Sequence, residues 1–239
     1  MYSLQTARRY TFRKVKVANP DPWPRTPEDA VALQDRLRTQ VIPRNPTPPR
    51  FRTIAGLDSA YDDAGNVVAA IVVLDAETLE TVETATAQGT TDFPYVPGLL
   101  AFRELPTTLA AFETLTTTPD LIICDSQGLA HPRRFGFACH IGLLTGIPTL
   151  GVAKNAWGDY EMPEAQRGSS TDITIDGDVV GRALRTRSNV KPVFVSIGHL
   201  IDIETATTQV LSLTPEFRQP ETTRRADHLC RQLLNELTA

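Results

Sequence analysis

The stretch that most constrains the fold is residues 120–136, DLIICDSQGLAHPRRFG. Its continuous apolar run, Leu121–Cys124, predicts a strand that is buried on both faces, as in a parallel sheet. The run ends at Asp125, a residue type that strands disfavour, and residues 126–128 then turn the chain. Open α/β sheets bind ligands at the carboxyl ends of such strands, so Asp125 is a candidate ligand-binding residue. A structural turn closed by the Asp125 side chain is the alternative.

The rest of the chain alternates strand and helix patterns in an order that limits the topology. Three strand patterns with short connections come first, followed by helix, strand, helix and strand, and a strongly amphipathic helix ends the chain. The predicted strands are 53–61, 67–74, 79–87, 121–124, 149–153 and 192–197, with a hairpin at 173–186 that turns at residues 176 and 177. One predicted helix begins at Thr26, and four more cover 99–115, 135–145, 204–213 and 222–237. Pro106 should kink or divide the helix at 99–115 near residues 103–105. This order is that of an α/β fold with a ribonuclease H-like mixed sheet flanked by helices. In such a sheet the fourth strand lies parallel to the first, which would bring Asp58 close to Asp125.

The first 45 residues differ in composition from the rest. Five basic residues and no acidic ones fall within residues 1–17, and prolines are frequent up to residue 49. We expect a basic, proline-rich extension with one helix at residues 1–45 and a single ribonuclease H-like domain at 46–239. Residues 1–17 are interpreted as a solvated tail, which we favour, as an arm that contacts nucleic-acid phosphates, or as an organellar transit peptide.

Cysteine usage and hydropathy bear on the compartment. The three cysteines lie in apolar segments with no CxxC pair, which is typical of reduced structural thiols and argues against zinc. No apolar run approaches the roughly 20 residues that cross a bilayer, and the N-terminus lacks a secretory apolar core. We therefore expect a cytoplasmic protein with no membrane partner, and a monomer.

Two further acidic residues stand in notable positions. Asp58 lies in IAGLDSAY on the apolar face of the first strand, where burying even a neutral polar group costs about 2–7 kcal/mol unless it is compensated. A divalent cation or a turn rich in N–H groups would each compensate it. Glu104, on a helix just before Pro106, would by itself be an ordinary solvated glutamate. Carboxylates without a His or Cys cluster suit Mg²⁺, with Mn²⁺ able to substitute, and such ions promote attack of water on a phosphodiester.

Four segments carry a resemblance to a known family. They are FPYVPGLLAFRE, PDLIICDSQGLAHPRRFGFACHIGLL, IPTLGVAKN and VSIGHLID, and from about Ile54 to the final helix the chain closely resembles the endonuclease V family of deoxyinosine 3′-endonucleases. The resemblance implies a ribonuclease H-like DNA repair enzyme that recognises deoxyinosine, the product of adenine deamination, in DNA. It also implies hydrolysis of the second phosphodiester bond 3′ to the lesion. Cleavage of inosine-containing RNA, and nucleic-acid binding without catalysis, are the alternatives.

The same resemblance assigns a catalytic group. Asp58 and Asp125 would bind the metal, Glu104 would complete the acidic site, and Lys154 would stabilise developing phosphate charge. His228 matches a histidine that lies near the catalytic metal in some members. Helical geometry puts His228 opposite the apolar stripe of the last helix, on a face that is either solvated or turned toward nucleic acid.

The resemblance also assigns residues to substrate recognition. Tyr95 and the turn after it would form a wedge that separates the strands beside the lesion; a core position under helix 99–115 is the alternative for Tyr95. Hypoxanthine offers an O6 acceptor and an N1–H donor, which main-chain groups of glycine-containing turns could complement once the base leaves the stack. The substrate-binding candidates are therefore Tyr95, Val96, Pro97, Gly98, Leu100, Gly128 and His131. His131 would contact phosphate, orient a ligand or cap a neighbouring carbonyl.

Overall fold

The computed structural model describes residues 23–238, so the predictions for residues 1–17 lie outside the described residues. Within residues 23–238, nine strands form one sheet in the order β3-β2-β1-β4-β5-β9-β8-β7-β6. The strands are β1 Thr53–Tyr61, β2 Asn66–Asp75, β3 Thr81–Thr90, β4 Leu121–Cys124, β5 Thr149–Ala153, β6 Asp159–Tyr160, β7 Ser170–Ile175, β8 Asp178–Leu184 and β9 Val193–His199. The helices are α1 Pro27–Leu37, α2 Ala101–Thr114, α3 Phe137–Thr145, α4 Ile203–Ser212 and α5 Glu221–Thr238. Every predicted element is present, and the two-residue strand β6 is an addition to them.

The centre of the sheet has the predicted topology. β1 pairs with β4 in parallel, and β4 pairs with β5 in parallel, whereas the other neighbouring strands are antiparallel. Leu57 is the register partner of Cys124 at the carboxyl end of the β1–β4 ladder. Asp58 and Asp125 each follow this pair by one residue, so they stand side by side at one edge of the sheet. The α/β mixed-sheet prediction is confirmed.

Helices cover both faces of the sheet, which explains the nearly continuous apolar sequence of β2. Ala69, Ile71 and Val73 belong to the core cluster that contains α2 and α3. The alternate residues of β2 face the other way and pack on α5, because successive side chains of a strand point to opposite faces; they are Val68, Ala70, Val72 and Leu74. No helix among residues 23–238 combines the length and the apolar character needed to cross a membrane.

Gly56 of β1 fixes how closely α5 approaches the sheet. A Cβ atom at Gly56 would lie 2.2 Å from the main-chain carbon of Thr222, near the start of α5. Only a residue without a side chain allows this contact. The contact holds α5 against β1, two residues before Asp58.

Division of α2 at Pro106, one of the two outcomes that the sequence predicted, does not occur, because the structure compensates for the missing N–H group; a kink at residues 103–105 stays a prediction. A proline inside a helix leaves the carbonyl four residues earlier without its donor, here the carbonyl of Phe102. The indole Nε1–H of Trp23 donates to that carbonyl at 3.2 Å. Helix α2 therefore runs unbroken from Ala101 to Thr114, and it owes this to a residue from the N-terminal segment.

The segment before β1 packs onto the rest of the protein. Thr26 caps α1 by accepting the N–H of Asp29, as the sequence predicted. Further along, the N–H of Ile42 donates to Nδ1 of His199, and Asn45 donates to Asp202. The described part of the predicted extension thus contacts the sheet and its helices, while the predicted boundary at residue 45 stays a prediction.

Candidate active site

Asp58 and Asp125 form the middle of the candidate site. The Asp58 carboxylate accepts the N–H of Ser59 at 2.8 Å. Burial, followed by the charge of Asp125, raises the pKa of Asp58 from 3.8 to about 7. Because the two carboxylates repel each other and Asp58 is largely shielded from solvent, the pair favours binding of a proton or of a cation.

Glu104 adds a third carboxyl group from the first turn of α2. It is 8% exposed, so the solvated alternative does not apply in the folded protein. Burial raises its pKa well above the usual range, and the charges of Asp58 and Asp125 raise it further, against a smaller opposing effect of Arg103. The three carboxyl groups therefore interact electrostatically with one another.

Lys154 supplies positive charge at the same edge. It follows β5, and its Nζ lies 2.7 Å from Oδ2 of Asp125. Burial alone would lower the pKa of Lys154, but the hydrogen bond and charge of Asp125 outweigh it and raise the pKa above its ordinary value. The ammonium group is therefore kept charged beside the carboxylates.

Helix α5 contributes a residue that the sequence analysis did not single out. The pKa of Asp58 is raised mainly by burial and by Asp125, and that of Lys154 mainly by Asp125. The charge of Asp227 adds a smaller increase to both, so Asp227 lies within electrostatic range of the site. Its neighbour His228 is exposed on α5. Asp227 also pairs with Arg231 at 2.8 Å. The sequence could have indicated Asp227, because this residue directly follows Ala226, which belongs to the apolar stripe predicted to pack on the sheet.

The donor chemistry of this acidic centre, comprising Asp58, Glu104, Asp125 and Asp227, fits a hard divalent cation. All four offer carboxylate oxygen, and burial, followed by the charges of neighbouring carboxylates, raises the pKa of both Asp58 and Glu104. Within residues 23–238, no group of three or more Asp, Glu, His or Cys side chains is arranged so that it could hold a metal ion. Mg²⁺ commonly binds through one or two carboxylates and completes its shell with water and phosphate, so it does not require three protein ligands.

The turn at residues 95–98 lies beside the start of α2. Tyr95 is 66% exposed, which places its ring in solvent and not in the core. The N–H of Leu99 donates to the carbonyl of Val96 at 2.9 Å, and Gly98 has a φ of +85°. A Cβ atom at Gly98 would also lie 2.8 Å from Nη2 of Arg133. Glycine is required here by the backbone conformation and by the approach of Arg133.

A cavity of about 150 Å³ opens between this turn and the loop after β4. Its lining is formed by Gln34, Gly98, Leu100, Ala101, Ser126, Gln127, His131, Gly136, Phe137 and Trp157. The structure thus brings three of the predicted recognition residues, Gly98, Leu100 and His131, to one cavity. Ser126 and Gln127 directly follow Asp125, so the cavity adjoins the acidic centre.

Gly128, the remaining glycine among the recognition candidates, has both of its main-chain polar groups paired within the protein. Its N–H donates to Oγ of Ser196, and its carbonyl accepts the N–H of Gly136. A Cβ atom at Gly128 would lie 2.0 Å from the carbonyl oxygen of Ile197. The N–H of Gly128 therefore ties this loop to β9, and its carbonyl ties the loop to the start of α3.

His131 caps a neighbouring carbonyl, one of the alternatives from sequence. Its Nε2 lies 3.0 Å from the carbonyl oxygen of Gly98, and its Nδ1 accepts the N–H of Arg133 at 3.2 Å. The two contacts define the tautomer that carries its proton on Nε2. Burial lowers the pKa of His131 to about 4, so the ring is neutral at pH 7, and it stacks on Trp157.

Comparisons with known proteins agree with this fold and site. A sequence profile described as Endonuclease V matches residues 35–228. An endonuclease V of Nocardia farcinica is 63% identical over 221 residues, covering 92% of this chain and 98% of that protein. The crystal structure of endonuclease V from Streptomyces avermitilis has a TM-score of 0.87 and 57% identity, covering 94% of this chain and 100% of that one. A structure of Ciona intestinalis endonuclease V, in complex with a DNA that contains an inosine followed by a ribo-adenosine, has a TM-score of 0.76 and 26% identity, covering 88% of this chain and 98% of that one.

The mixed sheet and the carboxylates at its parallel centre define an α/β nuclease with a ribonuclease H-like fold. Within that class, the chain belongs to the endonuclease V family.

Proposed function

We propose that this nuclease is a divalent-metal-dependent repair enzyme that recognises deoxyinosine in DNA and hydrolyses the second phosphodiester bond 3′ to it. The observation that carries the proposal is that a cavity of about 150 Å³, lined by Ser126 and Gln127, opens directly beside Asp125 of the acidic centre. The Ciona intestinalis relative, with its bound inosine-containing DNA, supports the same assignment.

Asp58 and Asp125 would hold the metal ion, with Glu104 completing its carboxylate environment. When bound, Mg²⁺ or Mn²⁺ lowers the pKa of a water molecule and stabilises charge on a phosphodiester. Lys154 presents an ammonium group at the same edge, where it would stabilise negative charge that develops on the phosphate. From α5, we propose that Asp227 acts on this centre more directly than His228, because Asp227 interacts with both Asp58 and Lys154.

Recognition would take place at the 95–98 turn and its cavity. Tyr95 is exposed, and prolines at positions 94 and 97 restrict the turn that carries it, so its ring could enter a duplex with little loss of entropy. The first N–H groups of a helix have no partner within the helix, and Leu100 caps α2 without a side-chain hydrogen bond. The main chain at Leu100 and Ala101 thus offers donors to an acceptor such as O6 of hypoxanthine.

The test is cleavage of an end-labelled duplex that carries one deoxyinosine, in Mg²⁺, in Mn²⁺ and in EDTA. We expect metal-dependent incision, and the length of the product identifies the bond that is broken. Duplexes with adenine at the same position serve as the control. Matched strands with deoxy or ribo sugars around the inosine would separate DNA from RNA as the preferred substrate. Equal cleavage of the adenine duplex, or full activity in EDTA, would contradict the proposal.

A further inference from the structure

One main-chain carbonyl beside the cavity, that of Gly98, accepts an unusual number of hydrogen bonds. The carbonyl oxygen of Gly98 lies 3.0 Å from Nε2 of Gln34, 3.0 Å from Nε2 of His131 and 3.0 Å from Nη2 of Arg133. A carbonyl oxygen has two lone pairs, so three donors saturate it. This oxygen is therefore held by the protein and has no capacity left for the N–H of a base.

Gln34 links the three donors into one network. Its Nε2 also donates to the carbonyl of Phe135 at 3.1 Å, and its Oε1 accepts Nε–H of Arg133 at 2.6 Å. Gln34 is 1% exposed, and each of its side-chain polar atoms is paired. A buried amide with all of its hydrogen bonds made holds its neighbours in one geometry.

The position of Gln34 in α1 indicates that the polar side chain has a specific task. The buried residues of α1 are Ala30, Leu33 and Gln34, which share one face of the helix. Leu33 packs in an apolar cluster with Leu99 and Phe102. An apolar residue would suit this face better unless the amide were needed. The profile match begins at residue 35, so Gln34 lies just outside it.

We propose that Gln34 is a positioning residue for lesion recognition. Together with His131 and Arg133 it holds the Gly98 carbonyl, which fixes the main chain where the 95–98 turn enters α2 and lines the cavity. Arg103 fastens the other side of the turn by donating to the carbonyl of Phe93. This inference rests on the proposed function, because it assumes that the extruded base binds in this cavity.

The test compares affinity for a deoxyinosine duplex with affinity for the same duplex carrying adenine, measured in EDTA so that neither is cleaved. Gln34→Met keeps the side-chain length and removes the donors. We expect it to lower the inosine-to-adenine affinity ratio by about tenfold, the equivalent of about 1.4 kcal/mol. Affinity for the adenine duplex, which depends on phosphate contacts, should change little.

Two further variants separate positioning from general destabilisation. Arg133→Met removes a different donor to the Gly98 carbonyl and should lower the same ratio, and it decides the question if Gln34→Met does not fold. Val210→Ala opens a cavity in a separate apolar cluster around α4, so it should lower the melting temperature and leave the ratio unchanged. A folded Gln34→Met variant with an unchanged ratio would overturn this inference alone. A wild-type protein with no preference for inosine would overturn the proposed function as well.

Discussion

The acidic centre and the 95–98 turn lie next to each other, yet they differ in how their polar groups are compensated. At the acidic centre, carboxyl groups with like charge are buried together, and the pKa of Asp58 and of Glu104 is raised. At the turn, the Gly98 carbonyl has three donors, and Gln34 has all of its hydrogen bonds made. The first region is electrostatically unbalanced without a cation, whereas in the second the Gly98 carbonyl and the Gln34 side chain are paired within the protein.

We infer from this difference that the acidic centre serves the chemistry and the 95–98 turn serves recognition. A centre with unbalanced negative charge favours binding of a cation, but it lowers the stability of the protein while the cation is absent. A turn whose hydrogen bonds are satisfied keeps its shape before the substrate arrives, so little entropy is lost when it reads a base. The predictions below test whether chemistry and recognition separate in this way.

The largest effect should come from the acidic centre. Asp58→Asn and Asp125→Asn each remove a charged ligand while keeping side-chain volume, and we expect cleavage to fall on the order of 10³-fold or more. Because Asp58→Asn also relieves repulsion with Asp125, it should raise the melting temperature in metal-free buffer. Single-turnover cleavage and thermal unfolding in EDTA measure the two effects. Normal metal-dependent cleavage by either variant would contradict the proposed metal site.

The next effect distinguishes two neighbouring residues of α5. Asp227→Asn should reduce cleavage by about 10- to 100-fold, because it removes a charge that acts on Asp58 and Lys154. His228→Ala should change cleavage by less than about threefold, since its side chain is exposed. Rates at saturating Mg²⁺ and the metal concentration for half-maximal activity are the measurements. A larger loss of cleavage in His228→Ala than in Asp227→Asn would show that His228 is the residue of α5 that serves catalysis.

At the turn, Tyr95→Ala should impair recognition and leave metal binding unchanged. Stacking of one base on an aromatic ring is worth about 1–3 kcal/mol, so binding and cleavage of a deoxyinosine duplex should fall by roughly 10- to 100-fold. The loss should be smaller for inosine in a single strand, where less stacking has to be replaced. Because the ring is exposed, the melting temperature should hardly change. A large fall in melting temperature with intact cleavage would show a structural role instead.

The smallest effect concerns stability against pH in metal-free buffer. The pKa of Asp58 is raised from 3.8 to about 7, so the folded state binds this proton more tightly, and stability is lost as the pH rises from about 4 to about 7. His131 and His140, whose pKa burial lowers to about 4, act in the opposite direction over an overlapping range. The informative quantity is therefore the difference between the wild-type protein and Asp58→Asn.

That difference in unfolding free energy should grow in favour of Asp58→Asn with a slope approaching about 1.4 kcal/mol per pH unit, the value for one proton. Urea unfolding in EDTA at a series of pH values measures it, and saturating Mg²⁺ should reduce the slope. Parallel stability curves for the two proteins would show that Asp58 titrates normally in the folded state.

Local patterns in the sequence were enough to predict most of the secondary structure. The apolar run at Leu121–Cys124 and the strand pattern of Thr53–Tyr61 predicted β4 and β1 with the observed ends. Residues 176 and 177, Asp and Gly, turn the predicted hairpin, and both have positive φ. These features depend on neighbours in sequence, which is why they can be recognised without the fold.

Where the sequence predictions fell short, long-range contacts were the cause. Helix α2 continues through Pro106 because Trp23, 79 residues before Phe102, replaces the lost donor. Gly128 was expected at the base pocket, yet its main chain is paired with Ser196 and Gly136.

The sequence by itself determined the element order, because this depends on residue type and local periodicity. The parallel pairing that sets Asp58 beside Asp125 followed from that order, and the family from the resemblance of four segments. Only the tertiary structure decided that Asp227 lies within electrostatic range of the acidic centre and that Gln34 holds the Gly98 carbonyl. Both depend on how α5 and α1 dock on the sheet. The rotation of a docked helix is set by close packing, such as that of Thr222 on Gly56, which no periodicity in the sequence specifies.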